Sequence, residues 1–203
     1  MEPFVDGVFY INMDHRIDRK EQIEWELRKV GLPFERFPGI PTSPGIIGCG
    51  YSHLAVLKEA RQRGYRNVLI FEDDFQFILD KTDFWNYMGK VLEDLPSYDV
   101  IMLGYNINSW KPSHSIRVNK VLSAQTASAY IVHSKFYDEL IALYEWALPL
   151  LESTGKHWIY ANDQVWKELQ PNSEWYATVT RVGKQRASMG ETGTEPVFCD
   201  YGC

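Results

Sequence analysis

The sequence predicts an α/β domain, a sheet flanked by helices, and three observations carry that reading. The chain opens with the β-branched and aromatic run Val8-Phe9-Tyr10-Ile11-Asn12, then a charged loop, then apolar residues at helical spacing. Val68-Leu69-Ile70-Phe71 and Asp99-Val100-Ile101-Met102-Leu103 are short apolar runs between polar flanks, the pattern of strands buried on both faces. Helical patterns separate these runs, and such alternation marks α/β architectures.

In chain order, 8–12 reads as the first strand because its residues favour a pleated, buried surface. Asp18 is an N-cap candidate for a helix whose apolar stripe is Ile23, Leu27 and Val30, with Gly31 closing it. Residues 32–48 are rich in Pro and Gly and read as a loop. Ser52 is expected to cap the next helix, with Leu54, Leu57 and Ala60 on its buried face and Gly64 at its end. Residues 68–71 form a central strand, and Glu72-Asp73-Asp74 follow at once. A helix is expected over 84–95, and a strand over 99–103 that Gly104 stops. A polar loop follows over 106–114, then extended structure over 121–132. Ser134 is expected to cap a long helix through Leu151, and Asn162 or Asp163 to start a short one. Residues 175–182 read as a last strand and 183–203 as a loop-like C-terminal segment. No repeat, low-complexity tract or linker divides the chain, so 1–203 is expected to be a single domain.

The bulk properties exclude several classes. At 203 residues with 45% hydrophobic and 24% charged side chains, the chain has the composition of an ordinary globular domain. A net charge of −6 argues against a nucleic-acid partner or an anionic membrane. An anionic ligand would need a local basic patch. His15-Arg16 with Arg19-Lys20, or Arg181, Lys184 and Arg186, offer one, although each alone reads better as a solvated charged face. No apolar run reaches the roughly 18 residues of a transmembrane span, and the first residues lack a signal-peptide pattern. A cytoplasmic location is therefore expected. Cys49, Cys199 and Cys203 show no paired zinc spacing and are expected as free thiols, with a local Cys199–Cys203 disulfide as the alternative in an oxidising compartment.

The strongest chemical signal is Phe71-Glu72-Asp73-Asp74-Phe75. Adjacent carboxylates repel, and at the C-terminal end of a buried strand they stand where open α/β sheets bind ligands. A hard divalent cation, Mn²⁺ or Mg²⁺, resolves that repulsion through carboxylate oxygens. If the strand continues, Glu72 and Asp74 share a side and hold the metal together, while Asp73 turns to a neighbour. The bland alternative is an acidic surface turn. A metal held by two carboxylates leaves coordination sites for phosphate oxygens, and departure of a nucleoside diphosphate needs such charge stabilisation. A second feature is Gly48-Cys49-Gly50-Tyr51-Ser52-His53, where two glycines and a helix N-terminus suit an anion. It matches neither the dinucleotide fingerprint nor the P-loop, and Ser52 reads equally as only a cap.

Together these residues resemble glycosyltransferase family 25, the group of lipooligosaccharide galactosyltransferases and collagen galactosyltransferases. Tyr10-Ile11-Asn12-Met13-Asp14-His15-Arg16 with Asp18-Arg19 is similar to the family's opening motif. Gly48-Cys49, Ser52-His53 and Val68-Leu69-Ile70-Phe71-Glu72-Asp73-Asp74 follow in the family's order. Thr126 to Val132, and Gln185 with Ser188, are looser matches. The resemblance implies a GT-A type fold, a Rossmann-like mixed sheet flanked by helices, with a UDP-sugar donor and an inverting mechanism. It implies that Asn12, Arg16 and Arg19 line the nucleotide pocket and that Ser52 and His53 lie near the donor. Glu72 and Asp74 would be the metal ligands, with Asp74 the first choice. Gln185 and Ser188 would close over the diphosphate, with Lys184 and Arg186 adding positive charge. Asp163 is the candidate general base, and reads equally as a helix N-cap. Trp110, Trp158 and Trp166 are candidates to stack on sugar rings. His15 stands where the family commonly has Arg, and no histidine follows His157 to serve as a late metal ligand.

The expected function is transfer of a hexose, galactose or glucose, from a UDP-sugar to a hydroxyl of a glycan or protein acceptor, assisted by Mn²⁺ or Mg²⁺. Two other readings stand beside it. One is a non-catalytic nucleotide-sugar or glycan-binding module, which an intact acidic cluster disfavours. The other is a metal-dependent phosphoesterase, which calls for more Asp and His ligands at strand ends than the chain offers.

Overall fold

Two of the runs that read as buried strands lie side by side. In the computed structural model, which describes residues 4–186, β1 (Gly7–Asn12) pairs in parallel with β3 (Asn67–Glu72), Phe9 opposite Ile70. Period-two alternation sends Phe9, Val68 and Ile70 to one face and Val8, Tyr10, Leu69 and Phe71 to the other. Both faces are apolar because both are covered. One is packed by α2 (Gly45–Gln62) and α4 (Tyr137–Thr154), the other by α1 (Ile17–Val30) and α3 (Lys81–Asp94). The chain continues through β2 (Glu35–Pro38) after α1, and β4 (Phe75–Phe77) after β3. β5 (Val100–Pro112), β6 (Val118–His133), α5 (His157–Tyr160), α6 (Asn162–Val165), β7 (Trp175–Thr178) and β8 (Gly183–Gln185) complete it.

The main sheet runs β2-β1-β3-β6-β5-β7, and β4 and β8 make a separate two-stranded ribbon. β1 is parallel to β2 and β3, and β5 to β7. β6 runs antiparallel to β3, β5 and β7. The mixed α/β sheet flanked by helices is thus as the sequence predicts. The single reversed strand follows from the β5–β6 hairpin, which brings β6 back between β3 and β5. Trp166 and Trp175 are fully buried at its foot, ring centroids 5.2 Å apart in an edge-on arrangement.

Several boundaries differ from expectation. The 32–48 segment is not all loop: it holds β2 and the start of α2, so Ser52 is no N-cap and lies in the second turn of its helix. Gly48 and Gly50 are helical. A Cβ would stand 2.0 Å from the Ile40 carbonyl oxygen at the first and 2.4 Å from Leu148 at the second, so close packing needs both glycines. They offer no free N-terminal amides to an anion. Asp18 is not the cap of α1. Arg16 holds that position, and Asp18 sits in the first turn, receiving both Arg16 guanidinium bonds at 3.0 and 2.8 Å. α3 begins before residue 84, capped by Asp80, whose carboxylate accepts from the Asp83 amide. Gly104 does not end β5. It lets the strand pass Ser128 and Phe75, and the supposed loop over 106–114 is mostly strand in the hairpin. His133, not Ser134, caps the turn before α4, its Nδ1 accepting from the Lys135 amide. The last strand of the main sheet stops at Thr178, and residues 183–185, expected as loop, pair with β4.

Candidate active site

Because β1 and β3 are parallel and in register, Ile11 opposite Glu72, they deliver Asn12 and the acidic triplet to the same edge of the sheet. That edge lies at the C-terminal ends of the parallel strands, where side chains from several loops can converge. β3 ends at Glu72, and Asp73 and Asp74 form a turn into β4. The turn breaks the strand alternation that would have put Glu72 and Asp74 on one side, and the three carboxylates fan out to different partners.

Asp73 is spoken for. Asn12 Nδ2 donates to its Oδ2 at 2.8 Å and Arg19 Nη1 to its Oδ1 at 3.0 Å. Asn12 is held in turn: its Nδ2 also donates to the Arg16 carbonyl at 3.0 Å, and Arg36 Nε donates to its Oδ1 at 3.0 Å. Asp74 accepts from Gln185 Nε2 at 3.0 Å through Oδ2, and the Arg186 amide donates to its carbonyl at 2.6 Å. Its other oxygen, Oδ1, is buried and has no hydrogen-bond partner among the described residues. Burial and the neighbouring Glu72 charge push the Asp74 carboxyl up to about 7. Burial likewise raises Asp73, against the pull of Asn12 and Arg19. Glu72 goes the other way: burial alone would raise it, but His53, Cys49 and Arg19 outweigh that and hold it below the usual range. His53 Nε2 stands 3.3 Å and Cys49 Sγ 3.5 Å from Glu72 Oε1.

Asp163 lies in α6, which packs on the face covered by α2 and α4. Its Oδ2 accepts from the Thr126 amide at 3.0 Å, and Gln164 Nε2 donates to its Oδ1 at 3.3 Å. It therefore does not cap α6, whose N-cap is Ala161. Thr126 has a φ of 77°, a strained conformation for a β-branched residue, and the Asp163 bond helps hold it. Burial raises the Asp163 carboxyl, and the Glu72 charge adds to the rise, which places both in one field. Arg19 partly neutralises Asp73 and Asp74, and Asp74 Oδ1 has no partner among the described residues.

The family model for glycosyltransferase family 25 (LPS biosynthesis protein) matches residues 41–145, just over half of the chain. The chain belongs to glycosyltransferase family 25. Its relatives include the human inactive glycosyltransferase 25 family member 3, 28% identical over 131 residues, and Xenopus laevis procollagen galactosyltransferase 1-A, 26% identical over 131. Each match takes in 49% of this chain and only 22% and 21% of the relative, so the chain spans about a fifth of those proteins. Among solved structures, a glycosyltransferase involved in glycosylation of the major capsid of PBCV-1 superimposes with a TM-score of 0.50 at 11% identity. That superposition covers 84% of this chain and 80% of the other, and it shows a shared GT-A-like fold.

The matched segment of this family 25 domain contains Ser52, His53 and Glu72 to Asp74, whereas Asn12, Arg16, Arg19, Asp163, Lys184 and Gln185 lie outside it. The contacts above tie Asn12, Arg19, Asp74 and Gln185 to one another around the acidic turn and Glu72 to Cys49 and His53, whereas Asp163 is bonded to Thr126 and Gln164. Ser52 and His53 are 1% and 0% exposed. Ser52 Oγ donates to the Gly48 carbonyl and accepts from the Ile40 amide; His53 is clamped between Tyr130 and Glu72. Arg16 turns its guanidinium to Asp18, and Lys184 is exposed on β8. Ser188, Cys199 and Cys203 lie outside the described residues. Trp166 is core and cannot stack on a sugar, while Trp110 and Trp158 are exposed. Sequence reasoning missed Arg36, because β2 lay hidden in a Pro/Gly-rich stretch, and Cys49, which reads as a lone thiol until α2 brings it beside Glu72. It also missed Glu26, fully buried under the β4–β8 ribbon, where it accepts from the Phe77 amide at 3.1 Å and Arg186 at 3.3 Å. The helical pattern of α1 held the signal: Glu26 stands three residues after Ile23 and four before Val30, on the buried stripe. Among the described residues, no helix is long and apolar enough to cross a membrane.

Proposed function

We propose that this family 25 domain transfers a hexose from a UDP-sugar to a hydroxyl of a glycan or protein acceptor, with inversion and with a divalent cation. The observation that carries the reading is the Oδ1 of Asp74, buried and without a partner among the described residues, beside Glu72 and Asp73 at the end of β3. An acidic oxygen withdrawn from water without a donor is costly, and a hard cation is the partner that such oxygens take. The residues fit: Asp74 and Glu72 would hold Mn²⁺ or Mg²⁺, whereas both oxygens of Asp73 are committed to Asn12 and Arg19. The cation would supply charge stabilisation for the departing diphosphate.

The remaining roles follow from this chain's own groups. Asn12, fixed by Arg36, sets the position of Asp73, and Asp73 fixes Arg19 beside Asp74. Gln185 ties the β4–β8 ribbon to Asp74, so the ribbon closes one side of the site. Lys184 and Arg186 on and beside that ribbon offer positive charge to a diphosphate. Ser52 and His53 act at one remove, Ser52 by anchoring the 39–44 segment and His53 by aiming Glu72. Asp163 is the proposed base: a carboxyl raised by burial takes the acceptor hydroxyl's proton more readily than a solvated one.

A second reading is a nucleotide-sugar-binding domain without turnover, favoured by the similarity to a human protein whose name calls it inactive. Calorimetric titration of UDP, UDP-galactose and UDP-glucose, with and without Mn²⁺, into wild type and Asp74→Ala tests the donor site. The proposal expects Mn²⁺-dependent binding that Asp74→Ala abolishes. Binding indifferent to both metal and Asp74 would sink it.

A further inference from the structure

Cys49 and His53 are four residues apart on α2 and so face the same way, toward the end of β3, where Glu72 meets them. One ligand atom from each of the three residues lies within 4.8 Å of the others. The individual separations are informative. With zinc-to-ligand bonds of about 2.3 Å to sulfur and about 2.0–2.2 Å to nitrogen and oxygen, a tetrahedron has edges of about 3.6 Å between S and O and about 3.4 Å between N and O. The cation-free distances are already 3.5 Å for Cys49 Sγ to Glu72 Oε1 and 3.3 Å for His53 Nε2 to Glu72 Oε1.

The surroundings are those of a metal ligand set. His53 is fully buried and its other nitrogen, Nδ1, lies 2.8 Å from the buried Tyr130 hydroxyl, which fixes ring orientation and leaves Nε2 toward Cys49 and Glu72. Metal-bound histidines are held by such an outer partner through the nitrogen that does not coordinate. The Glu72 side chain is 21% exposed and Cys49 is partly exposed, so two of the three ligands border solvent. Three protein ligands leave a fourth position for water or a ligand oxygen.

We propose that Cys49, His53 and Glu72 form a site for a thiophilic divalent cation, Zn²⁺ first among them, which shares Glu72 with the hard-cation position at Asp74. The thiol selects the ion: sulfur and imidazole favour Zn²⁺ over Mg²⁺ and Mn²⁺, which prefer all-oxygen sets. On binding, the Cys49 S–H proton passes to solvent, the metal–sulfur bond replaces it, and no electron changes hands.

Co²⁺ serves as the spectroscopic probe of the site, titrated into the full chain carrying Cys199→Ser and Cys203→Ser so that Cys49 is the only thiol. The expected result is a near-ultraviolet thiolate-to-cobalt charge-transfer band that saturates at one equivalent. Zn²⁺ displaces it, a large excess of Mg²⁺ leaves it, and Cys49→Ser removes it. Tyr130→Phe weakens the apparent affinity about 10- to 100-fold, the usual effect of losing an outer partner. Glu72→Gln, which keeps the thiol and the helix, weakens binding as well and serves where Cys49→Ser fails to fold. Absence of the band with Cys49 intact, or a band that survives Cys49→Ser, overturns the proposal. The readout is independent of any transferase activity, so it fails or holds separately from the function proposed above.

Discussion

Removing the Asn12 side chain should cost more than any other single hydrogen-bonding change at the acidic edge. Asn12 is 2% exposed and its amide serves three partners: it donates to Asp73 at 2.8 Å and to the Arg16 carbonyl at 3.0 Å, and accepts from Arg36 at 3.0 Å. Two of those partners are charged, and hydrogen bonds to charged groups contribute about 1.5–3 kcal/mol each. Arg36 keeps its bonds to the Asn12 carbonyl and to Asp14, so its loss falls at the low end. Asp73, buried and deprived of one donor, falls at the high end. Asn12→Ala is therefore expected to lose on the order of 4–5 kcal/mol. With a urea dependence of about 1–3 kcal/mol/M, that moves the unfolding midpoint down by roughly 1 M or more. Equilibrium urea unfolding followed by fluorescence of the buried Trp166 and Trp175 reads it. Asn12→Asp supplies a sign check, since it keeps an acceptor for Arg36 but sets a carboxylate against Asp73. It should be less stable than Asn12→Ala at pH 8 and recover at pH 4. A loss under about 0.5 kcal/mol in Asn12→Ala, the range of an ordinary surface change, would refute the network as drawn.

Three further outcomes are expected. In chelated buffer, stability should fall as pH rises from about 4 to 7, because Asp74, at about 7 in the folded chain against 3.8 when free, holds a proton that the unfolded chain has lost. The slope is at most about 1.4 kcal/mol per pH unit for one group, and thermal unfolding at pH 5 and 8 should show Asp74→Asn flattening it. Gly48→Ala must push back the Ile40 carbonyl, 2.0 Å from the new Cβ, and should lose about 1–3 kcal/mol or more in chemical denaturation, although alanine normally favours a helix. At Thr126, with its φ of 77°, glycine should be more stable than alanine by about 1 kcal/mol, the reverse of the usual order in a strand; a more stable Thr126→Ala would show that the strained conformation is not held.

Strand and helix order could be read where apolar periodicity was unbroken, as at 8–12, 68–71 and along α1. It failed where tertiary contacts overrule local signals. Gly48 and Gly50 look like a loop, yet they are helical because Ile40 and Leu148 leave no room for a side chain. Gly104 looks like a stop, yet the strand runs on because only glycine passes Ser128 and Phe75. The acidic triplet was legible as a site from its place after a buried strand. Its division of labour was not: that depends on the turn at 73–74 and on Asn12, Cys49, His53 and Gln185, whose approach no spacing reveals. Arg36 escaped for the same reason, since its role is set by the pairing of β2 with β1.

UDP release is the direct test of a transferase with Asp74 at the donor and Asp163 as base. UDP-galactose and UDP-glucose would be incubated with Mn²⁺ and wild type, Asp74→Asn or Asp163→Asn, with donor binding measured in parallel. Wild type should release UDP, and Asp74→Asn should neither bind the donor tightly nor turn it over. Asp163→Asn should bind normally yet turn over about 10²- to 10⁴-fold more slowly when a hydroxyl acceptor is supplied. Full-rate turnover by Asp163→Asn, or donor binding by wild type with no UDP released, would contradict it.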